Sequence, residues 1–214
     1  MHAKVCADGR SESTQSQSSE ERALASESGR DRRRHMSRST ARLVKALLSR
    51  GQTVAVAETS AGGLIAAELL AQPGASKFFK GGVVCYTKAS KQQLLGIAPE
   101  SSKPTSTEPH ARELAMAAQA ILAADWAIGE TGVAGPTPNS RGIQPGVSAL
   151  AACGPGGALA RKTLFPDDRL GAADAYGQAP KIGRPDNMLA FRDAAIELLA
   201  DAVEASAAGP TDKL

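Results

Sequence analysis

The chain has 214 residues, the length of one large domain or of one domain with appendages. Hydrophobic residues make up 42% of it and aromatic residues only 3%, so the core must be built from Ala, Val, Leu and Ile, as in helices packed on a sheet. The formal charge is +3, and no apolar run approaches the ~18 residues of a membrane helix, so we expect no membrane-spanning segment.

The few cysteines and histidines exclude several kinds of site. Cys6, Cys85 and Cys153 are odd in number and lack Cys-x-x-Cys spacing, so we expect neither a disulfide scaffold nor a zinc ribbon. A reducing compartment, the cytoplasm, is the expected location. Of the three histidines only His110 lies in the predicted fold, which excludes a three-histidine metal site. His110 follows a helix cap, and we predict that it is an exposed residue of the first turn.

Residues 1–38 are rich in Ser, Glu and Arg and nearly free of apolar residues, which predicts a disordered tail. The tail ends in a basic run in which five arginines stand against one aspartate: Arg30, Arg32, Arg33, Arg34 and Arg38, with Asp31. Without interleaved aromatic residues this run is typical of a solvated segment rather than a nucleic-acid site. It leaves organellar targeting open. Met36 stands just before the regular pattern, so we hypothesise that the functional chain starts there.

From Ser39 the hydrophobic pattern becomes regular. It predicts, in chain order, a helix from Ser39 to Gly51, a strand over 53–58, a helix over 64–70, a strand over 78–87 and a short helix over 88–95. A helix then opens at Thr107, with apolar positions at Leu114, Met116, Ala117, Ile121 and Leu122, and leads to a strand over 126–130.

The rest of the chain reads as a β-hairpin of 147–153 and 161–165, a loop over 167–185 and a last helix over 186–205. The residues predicted to face inward from this last helix are Met188, Phe191, Ala195, Leu198 and Leu199. Helices and strands alternate before the hairpin, so the predicted fold is α/β: a single three-layer domain over 39–206, with a mixed sheet and helices on both faces.

Two predicted strands end in glycine-rich turns, which we call the first glycine turn (59–63) and the second glycine turn (131–136). Ligands of open α/β sheets bind outside the carboxyl ends of the strands. The first glycine turn also opens a helix, whose free N–H groups would favour a phosphate or a developing oxyanion. Neither turn matches a dinucleotide fingerprint or a P-loop, and glycines that serve only tight turns are an equal alternative.

Hydroxyl and amine groups follow the first two strands. Thr59 and Ser60 lie in the first glycine turn, and Tyr86 and Lys91 follow the next strand. A hydroxyl nucleophile needs a base, and a lysine with a lowered pKa can serve in place of histidine. The alternative is that these lysines are simply solvated. Glu58 and Glu130 end two strands beside the turns, where they could form an acid–base pair, orient Lys91 or satisfy turn amides.

Four ordered segments resemble the motifs of the CinA C-terminal domain family, the nicotinamide mononucleotide (NMN) deamidases. They are ETSAGG at 58–63, FKGGVVCYTKASK at 79–91 with LGI at 95–97, STE at 106–108, and TGVAGP at 131–136. The resemblance spans about residues 40–203. It implies an amidohydrolase that converts NMN to nicotinic acid mononucleotide and ammonia without a metal or an organic cofactor.

The resemblance also implies site residues. Lys91 falls at the position of the family's lysine base, and Tyr86 and Thr131 fall at positions that support catalysis. The residues expected to frame the nucleotide are Glu58, Gly62, Gly63, Gly132 and Gly135, with the first glycine turn facing the nucleotide. The family resemblance also suggests a homo-oligomer.

The sequence departs from the family at the nucleophile. The family usually reads Glu-Ser-Cys-Thr-Gly-Gly, so alignment puts its serine on Thr59 and its cysteine on Ser60. Either hydroxyl is a candidate nucleophile, and the extra methyl of threonine restricts its approach. The alternative function is a catalytically silent module that binds a pyridine nucleotide or a protein. The segment 167–185 is a second departure, interpreted as a surface insertion rather than a lid over the site.

Overall fold

The computed structural model describes residues 37–100, 102–165 and 183–206. The helices of these residues are α1 (Arg38–Arg50), α2 (Leu64–Leu70), α3 (Lys88–Leu95), α4 (Glu108–Leu122) and α5 (Arg184–Ala205). The strands are β1 (Val54–Glu58), β2 (Phe79–Val84), β3 (Trp126–Gly132), β4 (Ser148–Cys153) and β5 (Leu159–Leu164). Short 3₁₀ turns lie at Ala75–Lys77 and Pro155–Gly157.

The strands form one mixed sheet in the order β2-β1-β3-β4-β5. Strand β1 pairs in parallel with β2 and β3, while β3–β4 and β4–β5 are antiparallel. The predicted hairpin is therefore confirmed. Because β1, β2 and β3 run in the same direction, their carboxyl ends meet at one edge of the sheet.

Helices cover both faces of the sheet, which confirms the predicted three-layer α/β fold. On one face α1, α2 and α5 pack on Val56, Ile128 and Leu150 in the larger apolar core. On the other face α3 and α4 pack on Ala55, Ala57 and Ala127 in a smaller core built largely of alanine. Successive residues of β1 and β3 therefore point to different helical layers, as the period of a strand requires.

Helix α4 lies unusually close to β3, because Gly129 has no side chain. A Cβ atom at this position would lie 2.0 Å from the carbonyl oxygen of Ala111 and 2.7 Å from the nitrogen of Ala115. The inward face of α4 accordingly carries mostly small residues: His110, Ala111, Leu114, Ala115 and Ala118. Met116 and Ile121, two of the apolar positions that predicted this helix, do not face the core, since their side chains are exposed.

Several predicted boundaries also need correction. Ser37 caps α1: its hydroxyl accepts a hydrogen bond from Thr40 N at 3.0 Å, so the helix starts at Arg38, one residue before the predicted domain. Strand β2 ends at Val84, since Thr87 already caps α3. Strand β3 runs on through Gly132.

Two predicted segments lie outside the described residues. They are the tail, apart from its last two residues, and the insertion 167–185, apart from its last three. In the last helix Phe191, Ala195 and Leu199 are buried, and Met188 and Leu198 pack against the core. None of the described helices is both long enough and apolar enough to cross a membrane.

Candidate active site

The predicted site residues gather at the edge where the parallel strands end. Strand β1 stops at Glu58 and leads into the first glycine turn, and β3 stops at Gly132 inside the second glycine turn. The backbone N–H of Cys85, just after β2, donates to the Glu58 carbonyl at 2.8 Å. The ends of the three strands therefore bring both glycine turns and the start of α3 to one place.

Glu58 fixes the start of α2. Its buried carboxylate accepts hydrogen bonds from the backbone N–H groups of Gly63, Ile65 and Ala66 at 2.8–3.1 Å. Burial raises the pKa of the Glu58 carboxyl, while these three donors oppose the rise. Glu58 is thus a helix-capping group rather than a residue that faces substrate.

Glu130 fixes the other end of the first glycine turn. Its fully buried carboxylate accepts hydrogen bonds from Thr59 N at 3.1 Å and Ala61 N at 2.8 Å. The hydroxyls of Ser60 and Ser148 donate to the same carboxylate. This arrangement, which we call the Glu130 network, joins β1, β3 and β4 through one buried anion.

These contacts correct one expectation about the first glycine turn. The amide groups of Thr59, Ala61, Gly63, Ile65 and Ala66 are already hydrogen-bonded to the carboxylates of Glu58 and Glu130. These five amides are therefore not free to bind a phosphate or an oxyanion, whereas no acceptor among the described residues binds the amides of Ser60 and Gly62. The interpretation of Glu58 and Glu130 as groups that satisfy turn amides is confirmed.

The two hydroxyls of the first glycine turn lie in different surroundings. Ser60 points to the Glu130 network and lines an open cleft. Side chains of a strand alternate between its two faces, and Ala55 and Ala57 face α4. Thr59 continues this alternation, so it is on the α4 side. Thr131 has the corresponding parity on β3, and its hydroxyl accepts a hydrogen bond from Ser106 N, just before α4, at 3.1 Å.

Lys91 lies on the α3–α4 side of the sheet. Its side chain is only 5% exposed, although α3 is a short surface helix. Burial lowers the pKa of the Lys91 amine, and the charges of Cys85, Glu113 and Glu130 partly oppose this shift. Burial of this lysine therefore favours the neutral amine, the form that can accept a proton.

His110 is buried, and the prediction that it is exposed is wrong. Its Nδ1 lies 2.9 Å from Glu113 Oε2, and its Nε2 has no hydrogen-bond partner among the described residues. Burial lowers the pKa of its imidazole, and the nearby Lys91 charge lowers it further. The hydrogen bond between Ser106 and Thr131 holds the first turn of α4, which contains His110, against the sheet. The sequence pattern did not predict this contact.

Tyr86 lies at the rim of the same cleft and is 61% exposed. The cleft has a volume of about 500 Å³, open mouth included. Its walls are Ser60, Tyr86, residues 132–135, residues 137–139 and Arg184. Gly132 and Gly135 thus line the cleft, whereas Gly62 and Gly63 adopt left-handed backbone conformations that shape the start of α2.

The comparisons with known proteins agree with this architecture. The family model of the CinA C-terminal domain matches residues 36–177. The chain belongs to the CinA C-terminal domain family.

A CinA-like protein of Prochlorococcus marinus is 41% identical over 121 residues, which cover 56% of this chain and 28% of the relative. A CinA-like protein of an Anaeromyxobacter species is 38% identical over 138 residues, which cover 63% and 34%. The chain thus spans about a third of these relatives' length.

Solved CinA structures share the fold. A competence/damage inducible protein from Agrobacterium tumefaciens matches with a TM-score of 0.63 and 26% identity, covering 77% of this chain and 93% of that one. A CinA superfamily protein from Klebsiella pneumoniae matches with a TM-score of 0.64 over 78% of this chain and 96% of its own, and its 23% identity supports the fold alone.

Within this CinA domain the structure adds groups that the sequence reasoning missed. Ser148 joins the Glu130 network from β4, and Arg184 enters the cleft from the first turn of α5. Arg184 lies at the end of the predicted insertion 167–185, so nothing in the motif spacing relates it to the glycine turns. Cys85 is buried in the core beneath α4, where burial raises the pKa of its thiol to about 11.

Proposed function

We propose that this chain hydrolyses the carboxamide of a nicotinamide nucleotide, converting NMN to nicotinic acid mononucleotide and ammonia. The proposal rests on membership of the CinA family and on the residues at the carboxyl edge of the sheet. The observation that carries it is Lys91, an amine that is buried on the α3–α4 side of the sheet and whose pKa is lowered by that burial. An amine with a lowered pKa is neutral over a wider pH range, and in that form it can accept a proton without a histidine base.

Thr59 is the attacking hydroxyl in this proposal. By the alternation of side chains along β1, Thr59 faces α4, which is the side of the sheet on which Lys91 lies. Thr59 also stands at the position of the family's serine. Ser60 instead donates its hydroxyl hydrogen to Glu130, a carboxylate that already accepts three other donors. We therefore assign Ser60 to the support of the turn and not to attack.

The proposed reaction has two stages. The Thr59 oxygen bonds to the carboxamide carbon, its proton passes to Lys91 Nζ, and the tetrahedral intermediate collapses with loss of ammonia, which takes that proton. A water molecule then attacks the resulting ester and gives one proton to Lys91, which returns it to the Thr59 oxygen as the C–O bond breaks. The acid formed in this way releases its remaining proton to solvent, and the product is the carboxylate of nicotinic acid mononucleotide.

Turnover of NMN by the purified chain tests this proposal, with ammonia and nicotinic acid mononucleotide measured as products. Lys91→Met should lower kcat at least about 100-fold, the usual contribution of a general base. Lys80→Met is the control and should leave kcat unchanged, because Lys80 is exposed on β2 and is not among the charges that shift the Lys91 pKa. Wild-type kcat/KM should rise with pH through the lowered Lys91 pKa, below the ordinary value of 10.5.

The same assay identifies the nucleophile. Thr59→Val removes the hydroxyl at nearly constant shape and should abolish turnover, whereas Thr59→Ser should keep it. Ser60→Ala should retain measurable activity. The reverse result, with Thr59→Val active and Ser60→Ala inactive, would transfer the attacking role to Ser60 with Glu130 as its hydrogen-bond acceptor.

A second candidate function is a pocket that binds a pyridine nucleotide without chemistry. The Glu130 network favours it, because the carboxylate engages both the Ser60 hydroxyl and amide groups that could otherwise stabilise an oxyanion. Binding of NMN with no ammonia released by the wild-type chain would support this function and contradict the hydrolase.

A further inference from the structure

The cleft at the second glycine turn carries one charged side chain on its walls, the guanidinium of Arg184. Its Nη1 donates to the carbonyl oxygen of Gly135 at 2.5 Å, and its Nη2 lies 3.5 Å from the hydroxyl of Tyr86. Within the described ranges no carboxylate forms an ion pair with Arg184. The guanidinium is thus held at the cleft rim by neutral groups, with further N–H donors left over.

The distribution of backbone donors points to the same part of the cleft. In the first glycine turn the protein's own carboxylates accept hydrogen bonds from the amides named above. In the second glycine turn, no acceptor among the described residues binds the amide nitrogens of Ala134 and Gly135. Both residues line the cleft together with Arg184. The second glycine turn therefore offers two backbone donors on the same cleft wall as Arg184.

We propose that Arg184 and the second glycine turn form the binding site for the phosphate monoester of a nucleotide. A phosphate carries close to two negative charges at pH 7, and a planar guanidinium binds two of its oxygens at once. The phosphate then sits at the cleft rim, beside Tyr86 and Arg184. The assignment of the nucleotide rests on the proposed function, whereas the phosphate site can be tested without turnover.

This site gives Tyr86 a different role from the one that the family resemblance implies. Its exposed hydroxyl contacts Arg184, so Tyr86 acts as a positioning residue for the guanidinium. Tyr86→Phe should weaken phosphate binding by less than the loss of Arg184 does, and it should raise KM for NMN while leaving kcat within about twofold. A large fall in kcat with unchanged KM would return Tyr86 to the reacting groups.

Calorimetric titration with ribose 5-phosphate tests the site, since this compound has the phosphate but no carboxamide to hydrolyse. Arg184→Met should weaken its binding at least about tenfold, and Arg184→Lys should recover part of the loss. Arg192→Met, on the same helix and paired with Asp193, is the matched control and should bind like the wild type. Thermal unfolding of each variant verifies that it is folded.

Two outcomes would overturn the phosphate site: no binding of ribose 5-phosphate by the wild type, or equal binding by the wild type and Arg184→Met. Steady-state kinetics separate this result from the fate of the hydrolase. If the hydrolase is correct, Arg184→Met should raise KM for NMN but not for nicotinamide riboside, which lacks the phosphate. Phosphate binding that depends on Arg184 in a chain without amidase activity would leave the site standing and the hydrolase contradicted.

Discussion

The buried amine of Lys91 affects the stability of the fold as well as its chemistry. Because burial lowers its pKa, the folded chain at neutral pH holds this proton less readily than the unfolded chain does. Protonation of Lys91 therefore favours unfolding at every pH below the ordinary lysine pKa of 10.5. The free energy of unfolding should increase as the pH rises from the lowered pKa toward 10.5.

Replacing Lys91 by methionine should consequently stabilise the protein while removing activity. We expect the free energy of unfolding at pH 7 to increase by about 1 kcal/mol, as is common when a functional group strained by burial is removed. Urea unfolding of both proteins at pH 7 and pH 10 measures the effect, and the gain should be smaller at pH 10. A less stable Lys91→Met variant at pH 7 would contradict this account of the lysine's environment.

His110 should make stability depend on pH in the acid range. Burial lowers the pKa of its imidazole, so the folded chain takes up a proton less readily than the unfolded chain, and Glu113 and Lys91 are the ionisable groups that act on it. The stabilisation that neutral His110 provides is present above 6.5, the pKa of histidine in the unfolded chain. It is lost as the pH falls through the lowered pKa of the folded chain.

His110→Gln should therefore flatten the change in unfolding free energy between about pH 7 and pH 5, relative to the wild type. Chemical unfolding across this range measures the difference. Identical slopes for the two proteins would show that the imidazole titrates alike in the folded and unfolded chains.

At the scale of elements, the contact between α4 and β3 depends on the absence of a side chain at Gly129. A methyl group there would lie 2.0 Å from the Ala111 carbonyl oxygen, inside backbone that cannot move without displacing the helix. Gly129→Ala should reduce stability by about 3 kcal/mol or more, the range of overpacked sites. Thermal and urea unfolding measure this loss.

Gly142→Asn is the control for that substitution. Gly142 has open space around its Cβ position and a φ of +75°, a backbone conformation that asparagine tolerates. It should cost less than about 1 kcal/mol. Equal losses for the two variants would mean that general glycine replacement, and not the helix contact, determines the result.

The same contact explains how far the sequence could predict the elements. The caps, strand patterns and hairpin predicted every described helix and strand, because they are local signals. The inward face of α4 was not predictable from apolar periodicity, since a close helix–sheet approach selects alanine over Met116 and Ile121. Ordered motifs located Thr59 and Lys91, whereas the Glu130 network depends on β4 pairing with β3 and has no local signature.

At the scale of the whole molecule, the described core is built from residues 37–206, and the family model begins at residue 36. Deleting residues 1–36 should therefore leave the free energy of unfolding unchanged within about 0.5 kcal/mol, as for changes away from packed features. It should also leave NMN turnover unchanged. Unfolding and kinetics of the shortened chain measure both, and a loss of either would assign the first residues a part in the domain.

Because of the Glu130 network, we expect the amide hydrogens of the two glycine turns to exchange with solvent at different rates. The N–H groups of Thr59 and Ala61 end on a fully buried carboxylate, so solvent deuterium can replace them only when strands β1, β3 and β4 separate. The amides of Ala134 and Gly135 border the open cleft, so deuterium should replace them through small local openings. We therefore expect slower deuterium uptake in the first glycine turn than in the second, although the two turns have similar compositions.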